Sequence, residues 1–340
     1  MCNDIGLTWG INKCAAIHLR RGKLEKGEDL PLSNDTNIPV LGEDDYYKYL
    51  GKFENLVNLR RKFRKQQVKS TSDASLVIWT SLLSIPRKVK ANQTFAIPVL
   101  QHHMWSTDWP IDKLKELERR TRRVINDCGC KHKHESLPLL YLPTTKGGKG
   151  LTEIESLYKT TKIKLAHYIT CSSDPHVELV RTYQDAKEMK SLRSIIKDAR
   201  TFAAQFNVDI TYNAESKKSI LTSNDTVIEV NNCQPKSITR KSILKNELVR
   251  KYEVEVEQQP WVGQFMPKQW KNKDLHKEWC DISKVWKNIP TVVYSIHTSI
   301  IQQLLPTKVY NVKKLKGEEE DLKCRLCQSG DESIAHIMCN

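Results

Sequence analysis

Cys324, Cys327, His336 and Cys339 have the types and spacing to hold a metal ion, C-x2-C-x8-H-x2-C. Zinc takes four thiolate or imidazole ligands in a tetrahedron, and a C-x-x-C pair supplies two of them from one tight turn. The bland alternative is four incidental residues. A second cluster, Cys128, Cys130, His132 and His134 in "CGCKHKH", crowds its donors too closely for an ordinary site and reads as an exposed loop. Basic residues gather at Arg60, Arg61, Lys62, Arg64 and Lys65, and again at Arg119, Arg120, Arg122 and Arg123. In most proteins such runs are solvated faces. Beside a nucleic-acid duplex they hold phosphates without reading sequence. The "KGGKGL" stretch lacks the residue order of a phosphate-binding loop and reads as a turn capping a helix that starts at Thr152.

Composition favours a polyanionic partner. Lys plus Arg number 55 against 40 Asp plus Glu, a net charge of +15 over 340 residues. That excess suits RNA or DNA, although a merely basic protein has the same composition. The ten cysteines are scattered rather than densely paired, which argues for a reducing compartment, nucleus or cytoplasm, and against secretion. No apolar run reaches the length of a membrane span.

The elements that must position these groups are mostly helices. Residues 1–51 alternate short apolar runs with Pro-, Asn- and Asp-rich turns, as short strands do. "FENLVNLRRKFRKQQV" places Phe53, Leu56, Leu59 and Phe63 on one helical stripe. "DASLVIWTSLLS" opens on an Asp suited to an N-cap. "PIDKLKELERRTRRVIN" sets Ile111, Leu114, Leu117, Thr121 and Val124 toward a core. Further helices are expected over 152–169, over 183–206 and from Lys241. Residues 207–240 read as irregular around one strand, "TVIEV", with a soft domain boundary there, and 261–288 as Trp-rich loops.

"DIGLTWGINKCAAIHLRRGK" followed by "YYKYLG" resembles the end of the palm in reverse transcriptases of non-LTR retrotransposons, nearest those with a restriction-like endonuclease. The likeness continues through "KANQTFAIPVL" and "LKELERRTRR", which resemble thumb helices, and "LYLPTTKGGKGL". It thins after about residue 170 and returns at "CRLCQSGDESIAHIMCN", which resembles the zinc knuckle preceding the endonuclease.

The resemblance implies an α+β, mainly helical chain in four parts. These are a palm edge with a primer-grip hairpin (1–51), a helical thumb and following helices (52–206), a helical linker region (207–317) and a knuckle (318–340). It implies that Lys13 is a palm accessory lysine, that Tyr49, Leu50 and Gly51 grip a primer terminus, and that both basic runs face template–primer RNA and DNA. It also implies a structural Zn²⁺ in the knuckle. The family's last ligand gap is longer than that between His336 and Cys339, so Cys339 is either the fourth ligand or its neighbour. Zinc binding by the chain as it stands is expected to be weak. Mg²⁺ belongs only to the intact polymerase, since no Tyr/Phe-Ala-Asp-Asp turn occurs in this sequence. The chain is therefore expected to be a fragment of a larger polyprotein, inactive alone. The alternatives are a retained nucleic-acid-binding module or a non-functional product of a decayed element. Thr144 and Glu118 stand where the family usually has Arg and Asp.

Overall fold

The computed structural model describes residues 14–21, 23–25, 27–33, 36–42, 45, 47–49, 52–54, 59–224, 226–238, 243–272, 274, 289–315 and 321–339. The chain divides into two compact units, 1–71 and 72–340.

The first unit carries three antiparallel hairpins. β1 (Leu19–Arg20) pairs with β2 (Lys23–Leu24), β3 (Leu30–Ser33) with β4 (Thr36–Ile38), and β5 (Tyr47–Tyr49) with β6 (Lys52–Glu54). Tyr49 is paired with Lys52 across the last of these. Phe53 therefore belongs to a strand, not to the helical stripe expected from its spacing. Helix α1 (Leu59–Thr80) begins in this unit and crosses into the second. It runs through Asp73 without a break, so Asp73 caps nothing. The helix stops before Pro86, which sits in the first turn of α2 (Ile85–Ala91), where the missing N–H costs no bond.

The second unit is built around helix α6 (Ile154–Cys171), eleven of whose residues are buried. A helix covered on several sides must be walled by neighbours. Here these are α3 (Ile97–Ser106), α4 (Ile111–Asp127), α8 (Ile195–Ala204) and a three-stranded antiparallel sheet. Pro98 opens α3. A proline ring clashes with the carbonyl four residues back, and the π-turn Asn92–Ala96 just before it absorbs the mismatch. The sheet, β7 (Asp209–Asn213), β8 (Lys218–Ser223) and β9 (Thr226–Val230), packs on α6 and α8. Two further strands thus occupy a region expected to be irregular around one. The expected helix over 183–206 is two helices. α7 (Pro175–Met189) is N-capped by Asp174, which accepts from the His176 amide, and is separated from α8 by Ser191 at φ +56°.

A second core joins α2, the end of α4, α5 (Leu137–Tyr141), α9 (Ile243–Glu257), α10 (Phe265–Lys271) and α11 (Thr291–Ile301) around Trp79, Ile125, Leu140, Leu142, Val256 and Met266. Each fully buried side chain of this size contributes about 1.5–3 kcal/mol of transfer energy. α10 lies where loops were expected. Helices α12 (Lys308–Leu315) and α13 (Ile334–Cys339) complete the unit. Among the described residues no helix is long and apolar enough to cross a membrane.

Candidate metal centre and nucleic-acid interface

The terminal motif folds locally. Lys323 bridges Asp331 in antiparallel fashion, the Cys324 amide donates to the Gly330 carbonyl at 2.7 Å, and the Glu332 amide donates to the Leu322 carbonyl at 2.7 Å. Between these strands Gln328, at φ +57°, closes a turn by donating to the Cys324 carbonyl at 2.9 Å. Ser333 then caps α13, accepting from the His336 amide at 3.1 Å. A hairpin followed by a capped helix brings the donor atoms of Cys324, Cys327 and His336 within 4.8 Å of one another. The Cys327 sulfur stands 2.9 Å from His336 Nε2 and 3.0 Å from Ser329 Oγ. Hydrogen bonding from Ser329, then from His336, pushes its thiol down to about 6, toward the thiolate form that zinc takes. The Leu326 amide points at the Cys324 sulfur at 3.4 Å.

Two thiols and one imidazole converging from a tight turn and a helix fit a zinc ion. Gly330 leaves room for His336, since a Cβ there would stand 3.2 Å from the ring and push it aside by a few tenths of an ångström. The side chain of Cys339 lies outside the described residues. "CGCKHKH" is a packed loop rather than an exposed one. Cys130 is fully buried under Lys88, whose Nζ reaches its sulfur at 3.5 Å, and Lys131 and Glu135 are buried too. His134 Nδ1 meets the Tyr310 hydroxyl at 2.9 Å.

The arginines of α4 separate into two groups. Arg122 turns inward and donates to the Tyr141 hydroxyl at 3.0 Å, and that hydroxyl donates to Glu118 at 2.7 Å. Arg120 pairs with Glu116 at 2.5 Å. Arg119 and Arg123, one helical turn apart, are exposed and make no ion pair among the described residues. Of the earlier run, Arg64 is half-buried and has an interaction partner. Arg60, Arg61, Lys62 and Lys65 lie on α1 with side chains outside the described residues, as does the side chain of Tyr49 on β5. Lys13, Leu50 and Gly51 are likewise outside them.

The "KGGKGL" loop has no amide left for a phosphate. The amides of residues 146 to 151 donate to carbonyls of Pro143, Thr144, Pro143, Leu139, Leu142 and Leu140 in turn. Lys149 is buried and holds Glu135 at 2.8 Å and the Cys130 carbonyl at 2.9 Å. Nor does the loop cap α6, which begins at Ile154. That cap comes from Glu118, which accepts from the Ile154 amide at 2.6 Å.

Sequence reasoning missed Glu332, Ser329 and the structural tasks of Glu118, Arg122 and Lys149. Only the Ser333-x-x-His336 spacing carried a local cap signal. No protein-family model matches the chain, and no curated protein is significantly similar to it. What the structure defines is an α+β, mainly helical protein with small antiparallel sheets and, among its described residues, one group of three side chains placed so that they could hold a metal ion.

Proposed function

We propose that the chain is the palm-edge-to-knuckle portion of an RNA-directed DNA polymerase of the non-LTR retrotransposon class, holding template–primer RNA and DNA through their phosphates. The observation that carries the reading is the Arg119–Arg123 pair. Two guanidiniums stand in solvent, unpaired among the described residues, on a helix whose other arginines are occupied. Unspent cations on a rigid helix release counterions when they meet a phosphate backbone, with little order to pay for. The net charge of +15 and the order of the polymerase-like segments support the same partner. In this reading the knuckle residues Cys324, Cys327 and His336 hold a structural zinc, which supplies folding energy rather than chemistry. With no Tyr/Phe-Ala-Asp-Asp turn in the sequence, the chain by itself carries out no primer extension with Mg²⁺. The same observation favours, as second reading, a binding module that serves another purpose.

The test is titration of the full chain with labelled RNA–DNA duplex and single strands across salt. Neutralising about four phosphates gives a log–log slope of about −3.6 on duplex and about −2.8 on single strands. Sequence-independent binding with such slopes supports the reading. Salt-insensitive binding, or binding confined to one sequence, overturns it. Template-dependent incorporation by the purified chain would overturn the inactive-portion reading specifically.

A further inference from the structure

Glu332 lies inside the metal loop, between Cys327 and His336, yet its bonds reach outside the knuckle. The side chain is 3% exposed and is gripped by Arg325, from Nε at 2.7 Å and Nη2 at 2.6 Å. The Arg325 amide adds a third bond at 3.1 Å. The Oε1 that takes Arg325 Nη2 also accepts from the Lys308 amide at 3.3 Å, and the Glu332 carbonyl accepts from the Val309 amide at 3.3 Å.

Lys308 and Val309 open helix α12, and a helix leaves its first amides without internal partners. Thr307 serves the next one, accepting from the Tyr310 amide through Oγ1 at 3.2 Å. The first turn of α12 is therefore completed by a residue 24 positions further along the chain. A carboxylate at that end also complements the helix dipole. The same turn carries Tyr310, which is buried, meets His134 at 2.9 Å and lies 6.0 Å from the Trp261 ring, centroid to centroid.

We propose that Glu332 is a latch: closing the Cys324–Cys327–His336 loop around its metal sets the carboxylate that caps α12, and thereby holds Tyr310 against the His132–His134 loop. The latch rests on the metal-binding reading of the knuckle. It makes the knuckle a fixed part of the 72–340 unit rather than a finger on a free tether. Removing the metal frees residues 327–336, uncaps α12 and loosens residues 131–135. The Lys308–Asp321 pair, 3.5 Å apart with Asp321 largely exposed, is a weaker second tie that does not pass through the metal loop.

The experiment is hydrogen exchange on the full chain, with Co²⁺ thiolate absorption reporting metal occupancy and Zn²⁺ or a chelator setting it. With zinc at about 100 times its dissociation constant, exchange at 308–309 should slow by up to about a hundredfold. A smaller slowing is expected at 131–135. Glu332→Ala should keep the Co²⁺ bands and lose the zinc-dependent slowing at 308, whose amide bonds the carboxylate, and lose less of it at 309, whose amide bonds the backbone carbonyl. Tyr310→Phe should keep that slowing and lose it at 131–135. Co²⁺ bands with no change at 308–309 would overturn the latch alone. Absent bands would overturn the metal reading and the latch together.

Discussion

Glu118 and Ile154 are 36 positions apart, and the Glu118 carboxylate accepts from the Ile154 amide at 2.6 Å, at the start of α6. The other carboxylate oxygen accepts from the Tyr141 hydroxyl at 2.7 Å. One side chain thus ties α4 to α5 and α6. Burial pushes its pKa up to about 7, against the lowering effect of those two bonds.

A carboxyl whose folded pKa exceeds its unfolded value contributes stability that is complete below the unfolded pKa and is lost as pH rises through the folded one. Here the window runs from about 4.5 to about 7. Glu118→Gln keeps one acceptor but turns an amide donor on a donor, costing about 1–3 kcal/mol at pH 5. It carries no charge to bury, so its deficit against the parent protein should shrink by about 3 kcal/mol by pH 8. Urea unfolding of both proteins at the two pH values measures this. A deficit that grows with pH would show that the ionised carboxylate is the favoured form.

Lys149 lies in a stretch that reads as a turn in sequence and is a buried counter-ion in the structure, with both side chains of the Lys149–Glu135 pair almost wholly covered. Breaking such a pair strands a charge, so Lys149→Met should destabilise by about 3–5 kcal/mol. Lys149→Met with Glu135→Leu should recover much of that. Thermal unfolding of the two variants decides it. Equal destabilisation by single and double changes would mean that the charges do not act as a pair.

What was legible and what was not follows from the range of the interactions. The α4 stripe was readable because Leu114 and Leu117 are buried at helical spacing. The convergence of Cys324, Cys327 and His336 was readable because the three lie within a short stretch. Strand β8 was not, because its inward residues are Ser219, Leu221 and Ser223. Two of the three read as polar. Ser219 is inside because its hydroxyl meets His167 Nδ1 at 2.7 Å, a contact 52 positions long that no local pattern announces. The tasks of Glu118 and Lys149 were not legible for the same reason, since each is defined by a partner distant in sequence.

Gly148 and Gly150 should respond differently to the same change. A Cβ on Gly148 would overlap the Leu142 backbone carbonyl, whereas one on Gly150 meets nothing within 4 Å and suffers only from φ +71°. Gly150→Ala should therefore cost about 1–2 kcal/mol. Gly148→Ala should cost more, because the backbone that seats Lys149 must move. Urea midpoints measured side by side test this, and equal costs would refute the steric account.

The α4 arginines should sort by their partners. Arg119→Glu with Arg123→Glu should leave stability nearly unchanged and flatten the duplex salt slope by about 1.8, if each holds one phosphate. Arg122→Ala should do the reverse, destabilising the protein by about 1 kcal/mol through the lost bond to Tyr141. Anisotropy titrations and melting curves on the same preparations separate the two effects. A binding loss from Arg122→Ala alone would move the interface to the other side of the helix.

The Cys324–Cys327–His336 group gives the last test of metal binding, because its donors differ in how they are held. Cys324 is buried, with the Leu326 amide directed at its sulfur, while Cys327 and His336 approach within 2.9 Å from separate elements. Losing any of the three leaves two of them and the poorly placed Cys339, too few for a tight zinc site. Cys324→Ala, Cys327→Ala and His336→Ala should therefore each remove most of the affinity. Structural zinc in finger-like peptides contributes about 10–16 kcal/mol, so a site closed by four good ligands would resist strong chelators. The short gap from His336 to Cys339 predicts a poorly placed fourth ligand, so Cys339→Ala should lower affinity by only about tenfold, near 1.4 kcal/mol. Competition against a chelating dye on the full chain, wild type and four variants, gives the ranking. A Cys339→Ala loss as large as the other three would make Cys339 a full ligand and the site a complete tetrahedron. Unchanged affinity in the first three variants would remove the metal centre altogether.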